Sequence, residues 1–509
     1  MFTRIMSAAI IGMDVIPVQV EADVSDGLPH FTMVGFVSSQ VKEAWDRVRT
    51  ALKNIGYTLP PKRITINLSP ADVPKSGSGF DLPIALSLLS ALEMLPPESL
   101  NDMMAVGELS LNGELNSVAG ILPIAIRARD AGASTLLVPK ANLKEARLVE
   151  GLLSAGFQSL PEIIDFLREG VLPVEDDMTG RVPPINAYNL DFSEIRGQEG
   201  VKRAAAISAA GFHNLLMIGP PGSGKTMIAK RIPTILPPLT REESLEITQI
   251  YSIAGLLSED SPVMGTRPFR SPHHTMSPQA LSGGGRIPKP GEITLAHRGI
   301  LFLDEMPEFS RGSLEILRQP LEDREIIISR QAGTFRFPAN FLLLAAMNPC
   351  PCGYFPDRGR CKCSPAAINA YMNRISQPLL DRIDLCVECP AVSIDDLTHT
   401  GPAGRSSAAI RTDVIKAVSI QEKRYAGTGI HFNSEIPSSR IQEFCPMEPA
   451  AEAFLKKAYS RLGLTARSYF RIIRVARTIA DLDGASSIRQ DHISEAVSYR
   501  TVDKKYWSI

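Results

Sequence analysis

Gly219-Pro220-Pro221-Gly222-Ser223-Gly224-Lys225-Thr226 decides the reading of this chain. Its spacing, G-x-x-x-x-G-K-[ST], makes a loop whose glycines let backbone N–H groups close around phosphates. Lys225 then reaches the β/γ oxygens, and the Thr226 hydroxyl is placed to ligate Mg²⁺. The flanks agree: Leu215-Leu216-Met217-Ile218 is a short apolar run suited to a buried strand. Met227-Ile228-Ala229-Lys230-Arg231 opens a helix, whose N-terminus favours an anion. A glycine-rich turn that fitted by chance would lack that context. About 80 residues on, Ile300-Leu301-Phe302-Leu303 runs into Asp304 and Glu305. Consecutive apolar residues indicate a strand buried in a parallel sheet. The carboxylates at its end suit Mg²⁺ coordination (Asp304) and polarisation of an attacking water (Glu305). Together the two motifs predict an ATP-hydrolysing module.

A third strand, Phe341 to Met347, ends at Asn348. A polar side chain there can orient the lytic water or touch the γ-phosphate; an Asn before Pro349 is also an ordinary turn residue. The order of strand ends (phosphate loop, Asp-Glu, Asn) resembles that of the AAA+ ATPases, and the resemblance implies the functional role for Asn348.

Composition sets outer limits. At 509 residues about three domains are expected. Hydrophobic residues at 44% and charged residues at 21% suit ordinary folded cores. Lys+Arg number 54 against 55 Asp+Glu, a formal charge of -1, so any nucleic-acid contact must come from a local patch or a pore. Met1 to Met6 lacks the charged and apolar regions of a signal peptide, and no apolar run approaches membrane-spanning length. A cytoplasmic location with no membrane partner is expected. The seven cysteines then read as thiols or metal ligands rather than disulfides.

Residues 1–170 form a first, mixed α/β domain. Its strands are expected at Val18–Ala22, Ile64–Leu68, Met104–Leu109 and Thr135–Pro139, with a helix at Asp81–Leu89. Lys75 to Pro83, and Gly113-Glu114-Leu115 through Pro123, resemble the Lon-protease-like (ribosomal S5 domain 2-like) domain shared by Lon protease, RadA-type recombination proteins and magnesium-chelatase-like (ChlI-type) ATPases. A protease of that kind needs a Ser nucleophile and a Lys base. Aligned on Pro74-Lys75, Gly79 falls at the Ser position and Leu122 near the Lys position, while Ser76 and Ser78 read as loop serines. With neither half of the pair visible, the domain reads as a docking or ring-building module.

Residues 171–195 read as a linker, rich in Asp, Pro and Asn from Asp176 to Asn189. Phe192 to Gln198 precedes a helix from Val201 to Ala210. By the AAA+ resemblance this segment packs on adenine, with Ile195 and Gln198 near the base. Farther on, Arg267 to Thr275 sets His273 beside His274. Such a pair can bind metal, act in catalysis, read DNA or brace a loop by hydrogen bonds. Pro268–Thr275, followed by Gly291-Glu292-Ile293-Thr294-Leu295-Ala296-His297-Arg298-Gly299 and the Asp-Glu strand, is similar to the magnesium-chelatase-like branch. Within that branch the pattern resembles the YifB/ComM family over essentially the whole chain. The resemblance implies a hexameric DNA helicase that promotes branch migration during natural transformation. Its cofactors would be ATP and Mg²⁺, and its partners single-stranded or branched DNA and further copies of itself.

The remaining motifs fall within or after the ATPase core. Arg324 to Phe337 has strand character on both sides of an Ala-Gly turn. This is either a hairpin projecting into a ring pore, with Arg330 and Gln331 on DNA phosphates, or a surface hairpin with a solvated Arg. Cys350, Cys352, Cys361 and Cys363 follow as C-x-C-x₈-C-x-C within a Pro/Gly-rich loop. Four thiolates suit a closed, structural Zn²⁺ site. Spacing of one residue within each pair is tighter than usual, and a reduced thiol cluster and an Fe–S centre are the alternatives. Cys386 and Cys389 lie in an apolar strand and read as small hydrophobes. Pro378 to Asp384 resembles the arginine-finger motif of the branch, implying that Arg382 reaches a neighbouring subunit's γ-phosphate. An intrachain ion pair with Asp381 or Asp384 is the alternative, and Arg374 is a second candidate. Leu464 to Arg474 opens a helix capped by Thr465, with Arg467, Arg471 and Arg474 on one face. By resemblance Arg467 is the lid arginine on the γ-phosphate. Arg471 and Arg474 read as a solvated basic face or a DNA contact.

The expected architecture is therefore α/β. A Lon-like N-terminal domain (1–170) and a linker (171–195) precede a P-loop AAA+ core (196–391) with a hairpin (324–337) and a Cys loop (350–363). A connector (392–429) and a C-terminal helical lid (430–509) follow. The expected function is an ATP-dependent DNA motor. A chelatase-like motor remodelling a protein partner, a non-catalytic scaffold and a Lon-like protease are the competing classes.

Overall fold

In the computed structural model, which describes residues 1–171, 189–285, 288–330, 333–391 and 404–507, two sheets and a set of C-terminal helices carry the chain. The first unit contains β1 (Phe2–Ile11), β2 (Asp14–Ser25), β3 (His30–Val34), α1 (Ser39–Asn54), β4 (Arg63–Ser69), α2 (Asp81–Ala91), β5 (Met103–Ala105), α3 (Ile121–Asp130), β6 (Thr135–Pro139) and β7 (Leu153–Phe157). They form a seven-stranded sheet in the order β3-β4-β2-β1-β5-β6-β7. β2 runs antiparallel to β1 and β4, and the other pairs are parallel. β4 buries alternate residues Ile64, Ile66 and Leu68, as a strand with one covered face should. β6 is buried throughout, the signature of a parallel strand covered on both faces. α2 is apolar all round and wholly buried against β1 and β2. Its one charged residue, Asp81, is held by the Arg47 guanidinium at 2.7 Å.

Two local expectations change here. The strand expected over Met104–Leu109 stops at Ala105. The Gly107 N–H donates to Gly79 O at 3.0 Å, and Glu108–Leu109 pairs instead with Leu115–Asn116. β1, β3 and β7 were not anticipated. β1 alternates only over its first residues and then buries Ser7, Ala8 and Ala9 in succession, so no clean two-residue period marks it.

The second unit contains α4 (Glu199–Gly211), β8 (Leu215–Ile218), α5 (Lys225–Ala229), α6 (Arg241–Ala254), β9 (Phe269–Arg270), β10 (Ile300–Leu303), β11 (Glu325–Arg330), β12 (Gly333–Pro338), β13 (Leu342–Met347) and β14 (Leu385–Glu388). Five strands form an all-parallel sheet, β9-β10-β13-β8-β14. Leu215 and Met217 face a core shared with the C-terminal helices, while Leu216 and Ile218 face the side bearing the hairpin. Because every strand points the same way, all carboxyl ends lie on one edge and all amino ends on the other. The helix expected to continue through Arg231 ends at Ala229 and tightens into a 3₁₀ turn over Ile232–Ile235. Pro233 has no N–H to extend the ladder.

The β1–β2 turn joins the two units. Gly12 adopts φ +67°, and a Cβ on it would lie 3.0 Å from the Phe335 ring on β12. Ile11 and Met13 pack against the apolar cluster that holds Phe335. A second contact sits on α6, where Glu145 accepts from the Leu122 N–H at 2.8 Å and from the Ser252 hydroxyl.

The C-terminal helices are α7 (Ser407–Tyr425), α8 (Pro449–Leu462), α9 (Ala466–Leu482) and α10 (Gln490–Trp507). Thr465 caps α9, accepting from the Ser468 N–H at 3.2 Å. α7 packs directly on α4, and Gln421 donates to Ala210 O at 2.9 Å, so this helix is a wall of the core. Residues 172–188 of the expected linker and 392–403 of the expected connector lie outside the described residues. The reading of Arg471 and Arg474 as a solvated face or a DNA contact is corrected. Arg471 lies against Asp384 and Ile383 O, and Arg474 Nε donates to Ile436 O at 2.8 Å. Helical periodicity put them on one face, and that face is covered. Among the described residues no helix is long and apolar enough to cross a membrane.

Candidate nucleotide site

The phosphate loop leaves the carboxyl end of β8 and turns into α5. Gly219 sits so close to β14 that a Cβ would lie 2.2 Å from Cys389 O. Gly222 (φ +77°) and Gly224 (φ +83°) are left-handed, and a Cβ on either would meet nothing within 4 Å. The loop is thus pinned beneath and open above, as a phosphate cradle must be. Ser223 is buried within it. Lys225 Nζ donates to Gly219 O at 2.7 Å, Pro220 O at 2.8 Å and Asn348 Oδ1 at 3.2 Å. Burial pushes this ammonium below its usual range, and Asp304 and Glu305 act in the opposite direction. An anion in the cradle would complete its solvation.

The other strand ends converge on the same edge. Asp304 follows β10, and its Oδ2 accepts from Thr226 Oγ1 at 2.6 Å. This hydroxyl–carboxylate pair is the oxygen donor set that suits Mg²⁺. Glu305 is exposed and left-handed at φ +50°, with its N–H donating to Asp304 Oδ1 at 3.0 Å. Asn348 follows β13. The sheet brings these residues together as two hydrogen-bonded pairs, Lys225 with Asn348 and Thr226 with Asp304.

Beside the cradle, Gln198 is also left-handed, at φ +61°. Its Nε2 donates to Pro390 O at 2.6 Å, which ties the segment before α4 to the end of β14. Its Oε1 is buried with no hydrogen-bond partner among the described residues. Such an acceptor fits the amino group of a base. Ile195 is buried, 5% exposed, in the same segment.

Arg382 and Arg467 are elsewhere. Arg382 lies just before the amino end of β14, and its carbonyl accepts from Asn214, which immediately precedes β8, at 3.0 Å. Its guanidinium is held by Glu322 and by Pro378 O, and Arg467 reaches the same Glu322 at 3.4 Å. Both arginines line a cavity of about 330 Å³ at the amino edge of the sheet. The four residues of β8 span about 13 Å at ~3.3 Å each, so neither arginine meets the phosphate loop of its own chain. Arg382 pairs with Glu322 rather than with Asp381 or Asp384. Asp384 instead takes Arg471 and the Asn214 N–H, at 3.4 and 3.0 Å. Arg374, the second finger candidate, bonds Glu308 at 2.7 Å, close behind Glu305 on the carboxyl edge.

β11 and β12 form a hairpin in the register Arg330↔Gly333. Ile326, Ile328, Phe335 and Phe337 bury one face, and Arg330 stands exposed near the tip. Gln331 lies outside the described residues. The His273 and His274 rings lie 4.1 Å apart, tilted by 33°, and His273 Nδ1 bonds the Thr275 hydroxyl at 2.9 Å, a loop brace.

The four loop cysteines meet. Their sulfurs all lie within 4.8 Å of one another, with Cys350–Cys352 at 3.4 Å, Cys350–Cys361 at 3.8 Å and Cys352–Cys361 at 3.6 Å. A tetrahedron with ~2.3 Å Zn–S bonds has edges of about 3.8 Å. The Phe355 N–H also points at Cys350 Sγ, at 3.4 Å, as donors around metal thiolates do. The cluster therefore fits one Zn²⁺. Cys386 and Cys389 are buried in and just beyond β14.

The sequence does not point to Asn214 and Glu322, which hold Arg382, and it offers Asp384 as a partner of Arg382, whereas Asp384 holds Arg471 and the Asn214 N–H. Asn214 and Glu322 belong to no motif, and their partners are 168 and 60 residues away. Gly79 faces Val106 and Leu122 is fully buried, so the two positions where a Lon-like pair would stand are apolar.

The family model described as magnesium chelatase, subunit ChlI, matches residues 191–397. The model for subunit ChlI of Mg-chelatase matches residues 20–142, and that for the ChlI C-terminal region matches residues 404–500. The chain is 44% identical to the competence protein ComM of Haemophilus influenzae, over 98% of this chain and 97% of that protein. It is 43% identical to YifB of Escherichia coli, over 97% and 96%. It is 23% identical to the magnesium-chelatase 38 kDa subunit of Rhodobacter capsulatus, over 60% of this chain and 85% of that subunit.

Proposed function

This chain belongs to the YifB/ComM family of magnesium-chelatase-like proteins, and from that membership and the site's geometry we propose that it is a ring-forming, ATP-hydrolysing DNA motor. The observation that carries the proposal is the opposition of edges. Lys225, Thr226, Asp304 and Asn348 sit on the carboxyl edge of one parallel sheet, while Arg382 and Arg467 sit on the amino edge. A chain so divided is complete only when the amino edge of one copy faces the carboxyl edge of the next. Repeating that head-to-tail contact closes a ring, and the family resemblance implies six copies in it.

Within the proposal each residue has a task. The loop from Gly219 to Thr226 cradles the phosphates, and Lys225 leaves its loop carbonyls for the β/γ oxygens. Thr226 and Asp304 hold Mg²⁺, which when bound neutralises charge on those oxygens. Glu305 takes the proton of the attacking water, and Asn348 orients that water. Ile195 covers the base, and Gln198 Oε1 accepts from its amino group. Arg382 and Arg467 of a neighbouring copy stabilise the charge of the transferring phosphoryl group. The N-terminal sheet is read as a Lon-like docking domain, the C-terminal helices as a lid, and the Cys cluster as a structural Zn²⁺ site.

DNA enters through the hairpin and the relatives. The likeness to a competence protein directs the motor to DNA, and branch migration in natural transformation is the activity that the family resemblance implies. Arg330, exposed at the hairpin tip, is the proposed phosphate contact. Hydrolysis is expected to rise several-fold with single-stranded or forked DNA. Arg330→Ala is expected to keep basal hydrolysis, weaken DNA binding about equally across sequences, and lower the salt slope of binding by about one. Hydrolysis indifferent to every DNA tested would sink the DNA reading and favour a chelatase-like motor acting on a protein.

A further inference from the structure

The Cys350–Cys363 loop touches the nucleotide cradle at two points. Asn348, whose Oδ1 accepts from Lys225 Nζ at 3.2 Å, stands two residues ahead of Cys350, with the stiff Pro349 between them. Gly353, left-handed at φ +84°, turns the loop back so closely that a Cβ there would lie 2.5 Å from Pro221 Cδ in the phosphate loop. That reversal is held by the Gly353 N–H donating to Cys350 O at 2.9 Å. On its far side the loop leans on α10, where Phe355 meets the Tyr506 ring at 6.2 Å. Between these supports it has little apolar content of its own, and Cys350 and Cys361 supply much of what is buried. The four sulfurs are therefore the natural fastening.

We infer that Zn²⁺ held by Cys350, Cys352, Cys361 and Cys363 positions Asn348 and Pro221, so that metal loading controls affinity for the nucleotide. The four thiols give up their protons to solvent as the ion binds, and the thiolates close the loop. With the ion in place, Cys350 anchors the Asn348 side of the cradle and Gly353 presses on Pro221. Without it both contacts lose their fixed support, although no zinc ligand touches the nucleotide. This rests on the nucleotide reading above, and the experiment separates the two.

Full-length protein is assayed for zinc content, for the absorption spectrum after Co²⁺ replacement, and for binding of a fluorescent ATP analogue in Mg²⁺. Wild type is expected to hold one Zn²⁺ per chain and to give the intense thiolate-to-cobalt bands of a tetrahedral sulfur site. Cys363→Ser is expected to lose the metal and bind the analogue about tenfold more weakly, with unchanged far-ultraviolet circular dichroism. Cys363→His restores a ligand and is expected to regain both metal and affinity. If Cys363→Ser does not fold, wild type stripped by a zinc-selective chelator replaces it. Its affinity is then expected to return as Zn²⁺ is added back. Zinc-free protein that binds the analogue like wild type would overturn the coupling. Wild type that takes up neither zinc nor cobalt would overturn the metal site. Wild type that holds zinc yet binds no analogue would overturn the nucleotide reading, and this inference with it.

Discussion

Glu305→Gln should lower kcat for ATP hydrolysis about a thousandfold, within the 10²–10⁴ range of a lost general base, while ATP stays bound. The substitution keeps the size of a side chain that is exposed on the carboxyl edge, and it removes only the proton acceptor. Neighbouring Asp304 keeps its bond to Thr226, so the Mg²⁺ set is untouched. Phosphate-release kinetics beside analogue binding would separate the two effects: kcat falls and Kd does not. A variant that hydrolyses ATP at the wild-type rate would remove Glu305 from the chemistry and shift attention to Asn348.

The second large effect concerns geometry between copies. Arg382→Ala and Lys225→Ala should each abolish hydrolysis, Arg382→Ala by about 10³-fold or more as expected of an arginine finger. Mixed, they should recover part of it. A copy with an intact phosphate loop can then sit beside a copy with an intact arginine. In an equal mixture about a quarter of the interfaces combine both, so activity should return to roughly that fraction of wild type. Recovery after mixing, followed by ATP turnover with the oligomer checked by size-exclusion chromatography, is the measurement. A mixture as inactive as its parts would mean that Arg382 does not act across an interface, and the opposed edges of the sheet would then need another explanation.

What could be read in the sequence follows the range of the interactions. The phosphate loop, Asp304-Glu305 and Asn348 each stand at the end of a short apolar run, so the strand and its cargo are written in adjacent residues. The Cys cluster is legible for the same reason, its four thiols lying between Cys350 and Cys363. The arginines Arg382 and Arg467 are named by their motifs, but what holds them is not legible. Arg382 is held by Glu322 and Asn214, and Gln198 by Pro390, 192 residues away. No periodicity reports such partners. Arg471 and Arg474 show the limit most plainly. A 3.6-residue repeat says which side chains share a face, but not what covers it. Here Asp384 and the Ile436 carbonyl do, and burial pushes Arg471 down to about 10. β1 was hidden for a different reason: its run of small buried residues has no polar alternation to betray a strand.

The Gly12 turn has a mechanical consequence. Phe335 belongs to the hairpin proposed to move along DNA, yet its ring is seated against the turn that joins the first two strands of the chain. Any load on the hairpin tip would therefore reach β1 and β2, which are paired along their length from Phe2 to Asp23. If the hairpin moves along DNA as proposed, the N-terminal sheet is the mass against which it would push, through the Phe335 contact. A chain lacking β1 and β2 would leave Phe335 without that seat, and under the proposed function strand displacement should then fall more than basal ATP hydrolysis when the two are assayed side by side.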